Sequence, residues 1–299
     1  MVILSPLISE ELKISCSHVV SIIDDYSRDS LLKLQEKRTF PTSSRALNSS
    51  LGGGLRTQEI VELVGFDHLS IGELLTHITI DHLYNNQNFE ALIISTNGSP
   101  NEYELYQICR GFLEKKETDK HIDDSIFNVL RRIYIINCLS DIHLSKVLDD
   151  LLEGRFSGGK SLDLFKSKDR QDLTLLQIQG LSSLFDNMDA KSTKCSSALL
   201  AIKLRNLCTN SNCSILISNF QTALLSSNSA SYDPYIESDN PAFSKLSQKW
   251  HSSIDTKIYV LPLKKKEQHT RIMIKVIKSK RERSGRICHI SFSKQGIQD

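Results

Sequence analysis

With 299 residues and 39% hydrophobic content, the chain can bury a full core in one large domain with a short appendage. Its net charge of +2 says nothing by itself about partners, and seven scattered cysteines with no C-x-x-C pair argue against zinc or dithiol chemistry and for a reducing compartment. There is no basic leader and no apolar run approaching ~18 residues, so a soluble intracellular protein with no membrane partner is expected.

Residues 1–40 read as a short N-terminal helical cap or linker, with one helix from Ser17 to Lys33, and residues 41–299 as the core domain. Ser43 to Leu51 reads as a short helix ended by Gly52, Gly53 and Gly54. The apolar run Ile60, Val61, Leu63, Val64 predicts a buried strand, and Leu74, Leu75 and Ile78 recur at helical spacing behind it. Phe89 to Ser95 is the next strand, Tyr103 to Leu113 an amphipathic helix, and 115–125 a charged loop. A strand at Ile133–Asn137, a helix at His143–Leu152, a polar insertion, a strand at Leu173–Ile178, a helix at Ser197–Cys208 and a strand at Cys213–Ser218 follow. Strands alternating with helices predict an α/β fold with a mainly parallel, twisted sheet flanked by helices. After the polar stretch Gln221 to Asn240, three close strand-like runs at 257–261, 271–277 and 287–292 predict a C-terminal antiparallel meander closing one edge.

The segment Glu59 to Ile80 has the grammar of a strand, phosphate loop and helix. Such a loop is G-x-x-x-x-G-K-[ST], in which backbone amides cradle phosphates, the Lys reaches the terminal phosphates and the hydroxyl holds a metal. Counted from Gly65 without a gap, the second Gly falls on Ser70, the Lys on Ile71 and the hydroxyl residue on Gly72. The frame is present and its chemistry is missing.

Over residues 40–299 the chain resembles the RecA/RadA superfamily of P-loop NTPases, in the eukaryotic Rad-fifty-one-type recombinase branch. The resemblance lies in LGGGLRTQEIVELVG (51–65), ALIISTNG (91–98), LLQIQGLSSLFDN (175–187), LRNLCTNSNCSILISNFQTA (204–223), PAFSKLSQKWHSSIDTKIYV (241–260) and TRIMIKVIKSKRERSGRICHISFSKQGIQD (270–299), in that order and spacing. It implies a RecA-like core in which the water-activating Glu is replaced by Asn97 and the Walker B Asp by Gln179. Phosphoryl transfer needs positive charge on the phosphates, a metal and an oriented water, and this chain would supply none of them. The resemblance therefore implies no catalytic residue, no metal, and a degenerate nucleotide position at Gly65, Ser70, Ile71, Gly72, Asn97 and Gln179. Any nucleotide would be ATP, held weakly or at a site completed by a partner.

GRFSGGKS, Gly154 to Ser161, matches the phosphate-loop pattern at every position, but a helix and not a strand precedes it. It reads as a flexible loop with Lys160 a solvated charge. Between Lys264 and Arg286 ten Lys/Arg face two Glu, a local +8 that leaves about −6 for the rest of the chain. Within it Lys275, Lys278, Lys280, Arg281, Arg283 and Arg286 are candidate DNA contacts, with a solvated strand face as the plainer reading. The resembling family touches DNA with the loop after its ISN strand. The matching stretch 221–240 here has no Lys or Arg and carries Asp233, Glu237 and Asp239, so strand exchange by this chain alone is not expected. His77 and His82 are spaced poorly for a metal, and Trp250 reads as packing.

The resemblance implies a nuclear, non-catalytic recombinase paralog of the Rad-fifty-five/Rad-fifty-seven or Shu-complex type. Its partner would be another paralog or the recombinase itself, and it would assist filament assembly on single-stranded DNA in homologous recombination and repair. A divergent DNA-dependent ATPase and a protein scaffold without DNA contact are the alternatives.

Overall fold

The computed structural model describes residues 37–65, 67–98, 100–116, 122–153, 172–211, 213–220, 246–266, 269–293 and 295–299. The chain divides into units Met1–Arg38 and Thr39–Asp299, and every described element lies in the second. The predicted helix Ser17–Lys33, the GRFSGGKS segment and the stretch 221–240 lie outside the described residues.

A two-residue strand β1 (Thr39–Phe40) pairs antiparallel with β2 (Leu55–Arg56), and helix α1 (Arg45–Ser50) fills the turn between them. Ser44 caps α1 through Leu47 N at 2.9 Å, and the Asp299 side chain accepts from Arg45 N and Ala46 N at 2.9 and 3.1 Å. The end of the chain is thereby tied to the first described helix. Next come β3 (Ile60–Gly65), α2 (His68–Asn85), β4 (Phe89–Ser95), α3 (Glu102–Glu114), α4 (Ile122–Leu130), β5 (Ile133–Asn137) and α5 (Asp141–Leu152). The chain continues through β6 (Asp172–Gln179), a 3-10 turn at Leu181–Phe185, α6 (Ala190–Asn210), β7 (Ser214–Phe220) and α7 (Gln248–Ser253). It ends in β8 (Thr256–Lys266), β9 (His269–Ser279), β10 (Ile287–Ser293) and β11 (Gly296–Gln298).

Nine strands form one sheet in the order β11-β10-β9-β8-β3-β7-β6-β4-β5. β8, β3, β7, β6, β4 and β5 run parallel, and β9, β10 and β11 extend the β8 side as an antiparallel meander. The fold is therefore α/β, with a large, mostly parallel central sheet flanked by helices. β3 and β7 are buried on both faces and are mostly apolar, as parallel strands covered on two sides must be, with Glu62 the charged exception.

Helices α1 to α4 cover one face, where Ile71, Leu74, Leu75 and Ile78 of α2 pack on Val61, Leu63, Leu175 and Leu216. α5, α6 and α7 cover the other, where Leu148, Leu204 and Trp250 pack on Ile60, Leu176 and Ile215. The stretch read as a charged loop, 115–125, runs into a helix that the sequence reading passed over. Ile122, Ile126 and Val129 are buried along one side of α4, and Asp123 and Asp124 suit its first turn. The short elements α7 and β11 were also not foreseen. Among the described residues no helix is long and apolar enough to cross a membrane.

The core contains polar groups that must be satisfied or kept neutral. Glu62, at the centre of β3, has no solvent exposure. One carboxylate oxygen accepts from Asn219 Nδ2 and Trp250 Nε1, both at 2.9 Å, and the other lies 3.0 Å from Lys257 Nζ. Burial alone would raise its pKa, but the Lys257 charge and these hydrogen bonds outweigh it and hold the carboxyl below its ordinary value.

His77 and His82 of α2 are buried too. His82 Nε2 meets Thr174 Oγ1 at 2.8 Å, whereas neither ring nitrogen of His77 has a hydrogen-bond partner among the described residues. Burial lowers both imidazoles to about 4, with Arg132 adding to the shift at His82.

Because the fold favours the neutral rings, the unfolded chain takes up protons first as pH falls. Stability is then lost from about pH 6.5 down towards 4. Urea unfolding should show a loss of roughly 1–2 kcal/mol per imidazole between pH 7 and pH 5. His77→Leu should flatten that slope.

Candidate functional site

In an open parallel sheet, ligands sit beyond the carboxyl ends of the strands, where the connections leave towards opposite faces. Here the connection after β3 goes to the face carrying α2, and those after β6 and β7 lead to α6 and α7 on the other face. The candidate site is therefore the crevice beyond Gly65, Ser95, Gln179 and Phe220.

Its first wall is the start of α2. β3 ends at Gly65 and α2 begins at His68, so two residues connect them, where the gapless phosphate-loop count expects a loop reaching Ser70. Asp67 is the N-cap: its carboxylate accepts from Leu69 N at 3.1 Å, from Ser70 N at 3.4 Å and from the Ser70 hydroxyl. Ser70, Ile71 and Gly72 lie inside the helix and not in a loop. Ile71 is wholly buried in the core beneath α2, so a residue at that position does not face the crevice. Gly65 is held by close packing, since a Cβ there would come within 2.3 Å of Val260 O.

The second wall is a crown of neutral hydroxyls and amides across the ends of β4, β6 and β7. Thr96 N and Thr96 Oγ1 both bond Gln179 O, at 2.9 and 2.8 Å, and Thr96 Oγ1 also reaches Gly180 O at 2.5 Å. Ser183 Oγ bonds Gly180 O at 2.8 Å and Thr96 O at 3.2 Å. Gly180 N donates to Ser218 Oγ at 2.8 Å, and Phe220 N to Ser182 Oγ at 2.9 Å. Gly180 takes φ +78°, and a Cβ would meet Asn97, Thr96 and Phe220 at 3.0–3.1 Å, so the position suits only glycine.

Gln179 is buried with its amide nitrogen unpartnered among the described residues, and its Oε1 lies 3.5 Å from where a Cβ of Gly72 would stand. Asn97 is exposed at the rim. The structure thus brings Gly65, Ser70, Gly72, Asn97 and Gln179 to one end of the sheet and turns Ile71 away.

These residues do not fit a nucleoside triphosphate with its metal. Among the described residues the crown carries no cation for the phosphates, and the helix start already holds a carboxylate. Among the described residues no group of three His, Cys, Asp or Glu could hold a metal ion.

Apart from Lys275, which pairs with Tyr259 level with Val64, the basic candidates lie elsewhere. Lys278 and Ser279 at the end of β9 pair with Lys257 and Thr256 at the start of β8, and Thr256 pairs with Val61 at the start of β3. The turn 280–286 is therefore at the opposite end of the sheet, about 13 Å of strand from Gly65.

Most of its charge is used internally. Lys275 is buried. Lys278 Nζ donates to the carbonyls of His251 and Ile254, at 2.8 and 2.6 Å, at the end of α7, and burial with neighbouring Lys280 lowers its pKa. Lys280 pairs with Asp255. Arg281 bonds the carbonyls of Gly52 and Gly54 at 3.0 and 2.9 Å and pairs with Glu59 at 3.0 Å. Arg286 pairs with Glu282 at 2.8 Å and reaches Ser49 O at 3.0 Å. Arg283 is exposed with no hydrogen bond or ion pair among the described residues. What faces solvent is Lys280, Arg283 and Arg286.

Asp67, Thr96, Ser182, Ser183 and Ser218 were not singled out from the sequence. For Asp67 a signal existed: an Asp three residues before Ser70, opening an apolar-periodic stretch, marks a helix start. The hydroxyls carry no comparable pattern.

Ile71→Lys would force an ammonium group into the core beneath α2. It should destabilise the protein by on the order of 3–5 kcal/mol and give no ATP turnover, measured by urea unfolding and phosphate release. Arg281→Ala, which removes the closer of two cations paired with Glu59 and the donor to two carbonyls, should cost about 2–4 kcal/mol. Arg283→Ala should stay within about 0.5 kcal/mol in the same unfolding assay. No family profile and no curated protein sequence matches this chain.

Proposed function

We propose that this chain is a non-catalytic member of the RecA/RadA recombinase superfamily that works in the nucleus by pairing with another paralog or with the recombinase. In that role it helps assemble the recombinase filament on single-stranded DNA during repair. The observation that carries the reading is the combination of a mostly parallel sheet with a C-terminal meander and a crevice whose described walls offer neutral groups and the Asp67 carboxylate where phosphoryl transfer needs cations. The order of segments along the chain supports the RecA-like assignment, and the stripped crevice supports assembly over catalysis. The exposed Lys280, Arg283 and Arg286 support a modest contact with the phosphate backbone at the far end of the sheet.

Co-expression with recombinase-family partners should yield a stable complex that turns over no ATP beyond the partner's own activity. If those three basic residues alone contact single-stranded DNA, its affinity should fall by no more than about 20-fold between 50 and 200 mM salt. A monomer that captures neither a recombinase-family partner nor DNA would sink the proposal.

A further inference from the structure

We propose that Asp67 is a built-in anion standing where a nucleotide phosphate would lie, so that this end of the sheet is kept closed to nucleoside triphosphates. A phosphate at a strand-to-helix junction is held by free amides at the helix start and by the positive end of the helix dipole. Here Leu69 N, Ser70 N and the Ser70 hydroxyl all donate to the Asp67 carboxylate, and Ile71 N is bonded to Asp67 O at 3.2 Å. These donors of the first turn, from Leu69 to Ile71, are in use. A triphosphate would have to displace a covalently tethered carboxylate while meeting its negative charge.

Two further features remove the alternatives. The two-residue connection from Gly65 to His68 leaves no row of loop amides to wrap a phosphate. Position 71, where the count places a phosphate-binding lysine, is buried, and among the described residues the neighbouring crown offers neutral groups only. An aspartate N-cap is an ordinary stabilising device. Its location, in the crevice where connections diverge to opposite faces, turns the same contact into an exclusion device. The first turn of α2 is thereby ordered without nucleotide, and partner binding should not respond to it. None of this depends on a role in recombination: a chain that proved to have another partner would keep the same closed helix end.

The test uses the full-length protein and its Asp67→Ala and Asp67→Ser variants, the latter keeping a capping oxygen without the charge. Hydrogen exchange is followed over residues 67–72, alone and with millimolar MgATP or inorganic tripolyphosphate. In the unsubstituted protein the Leu69 and Ser70 amides should exchange slowly, and neither polyanion should change that rate or raise the Tm.

In Asp67→Ala exchange should quicken roughly five- to thirty-fold, the loss of one helix cap, and tripolyphosphate should slow it again. Asp67→Ser should keep most of the protection and gain sensitivity to tripolyphosphate, which preserves the test should the alanine variant not fold. MgATP that slows exchange at 69 and 70 in the unsubstituted protein would overturn the proposal. So would a polyanion that protects neither variant, because Asp67 would then be a helix cap and nothing more.

Discussion

A carboxylate without access to water sits in the middle of β3, and the elements around it are placed as they must be to satisfy it. Leaving Glu62 charged and unpaired would cost several kcal/mol, so its partners come from every direction: Lys257 from β8, Asn219 from β7 and Trp250 from α7. Hydrophobic burial would tolerate small slips of β7 or β8 along β3. A fixed set of donors to one carboxylate does not. Asp255 does the same at the start of the strand, accepting from Ile60 N at 2.8 Å and pairing with Arg205 at 2.7 Å and with Lys280. The meander extends from β8, so the position of three further strands follows from these two acids.

The same economy redistributes the charge that dominates the C-terminal sequence. A local excess of +8 along the chain suggests a surface for anions. In space, Lys278 closes the end of α7, Arg281 ties the glycine turn after α1 to Glu59, and Lys280 completes the Asp255 cluster. Each of these cations is bound to an acid or to backbone carbonyls, so the excess along the chain does not stand free at the surface. Sequence charge marked where the hairpin is anchored more than where a ligand would bind.

Apolar periodicity made the long elements legible. Ile60 to Val64 and Phe89 to Ser95 are strands where expected, and Tyr103 to Leu113 falls within α3. α4 escaped because it opens inside the charged stretch 115–124, and nine residues give little more than two turns in which the period can show. Six-residue α7 and three-residue β11 are shorter than any reliable pattern. The partners of Glu62 lie 157, 188 and 195 residues away along the chain, a relation that no local window contains. The acid itself was visible, however: a charge inside the run Ile60–Val64 implies a buried partner somewhere.

The candidate crevice shows why a motif count alone misjudges how many changes separate a site from its resemblance. Counted residue by residue, Ile71, Asn97 and Gln179 are three separate losses. In the structure the helix begins at His68, which places Ile71 on the same stripe as Leu74, Leu75 and Ile78, facing the sheet. A long cation there would enter the core, so an apolar residue at 71 follows from the short connection and needs no separate explanation. Gly72 and the buried Gln179 belong to the same arrangement, because the helix turn containing Gly72 comes down over the Gln179 amide and a charged residue in that place would be sealed from water. Asn97 alone stays at the exposed rim, where a carboxylate would be tolerated. The two-residue connection thus accounts for an apolar Ile71 and a covered Gln179 together, and substituting either of these side chains alone leaves that connection in place.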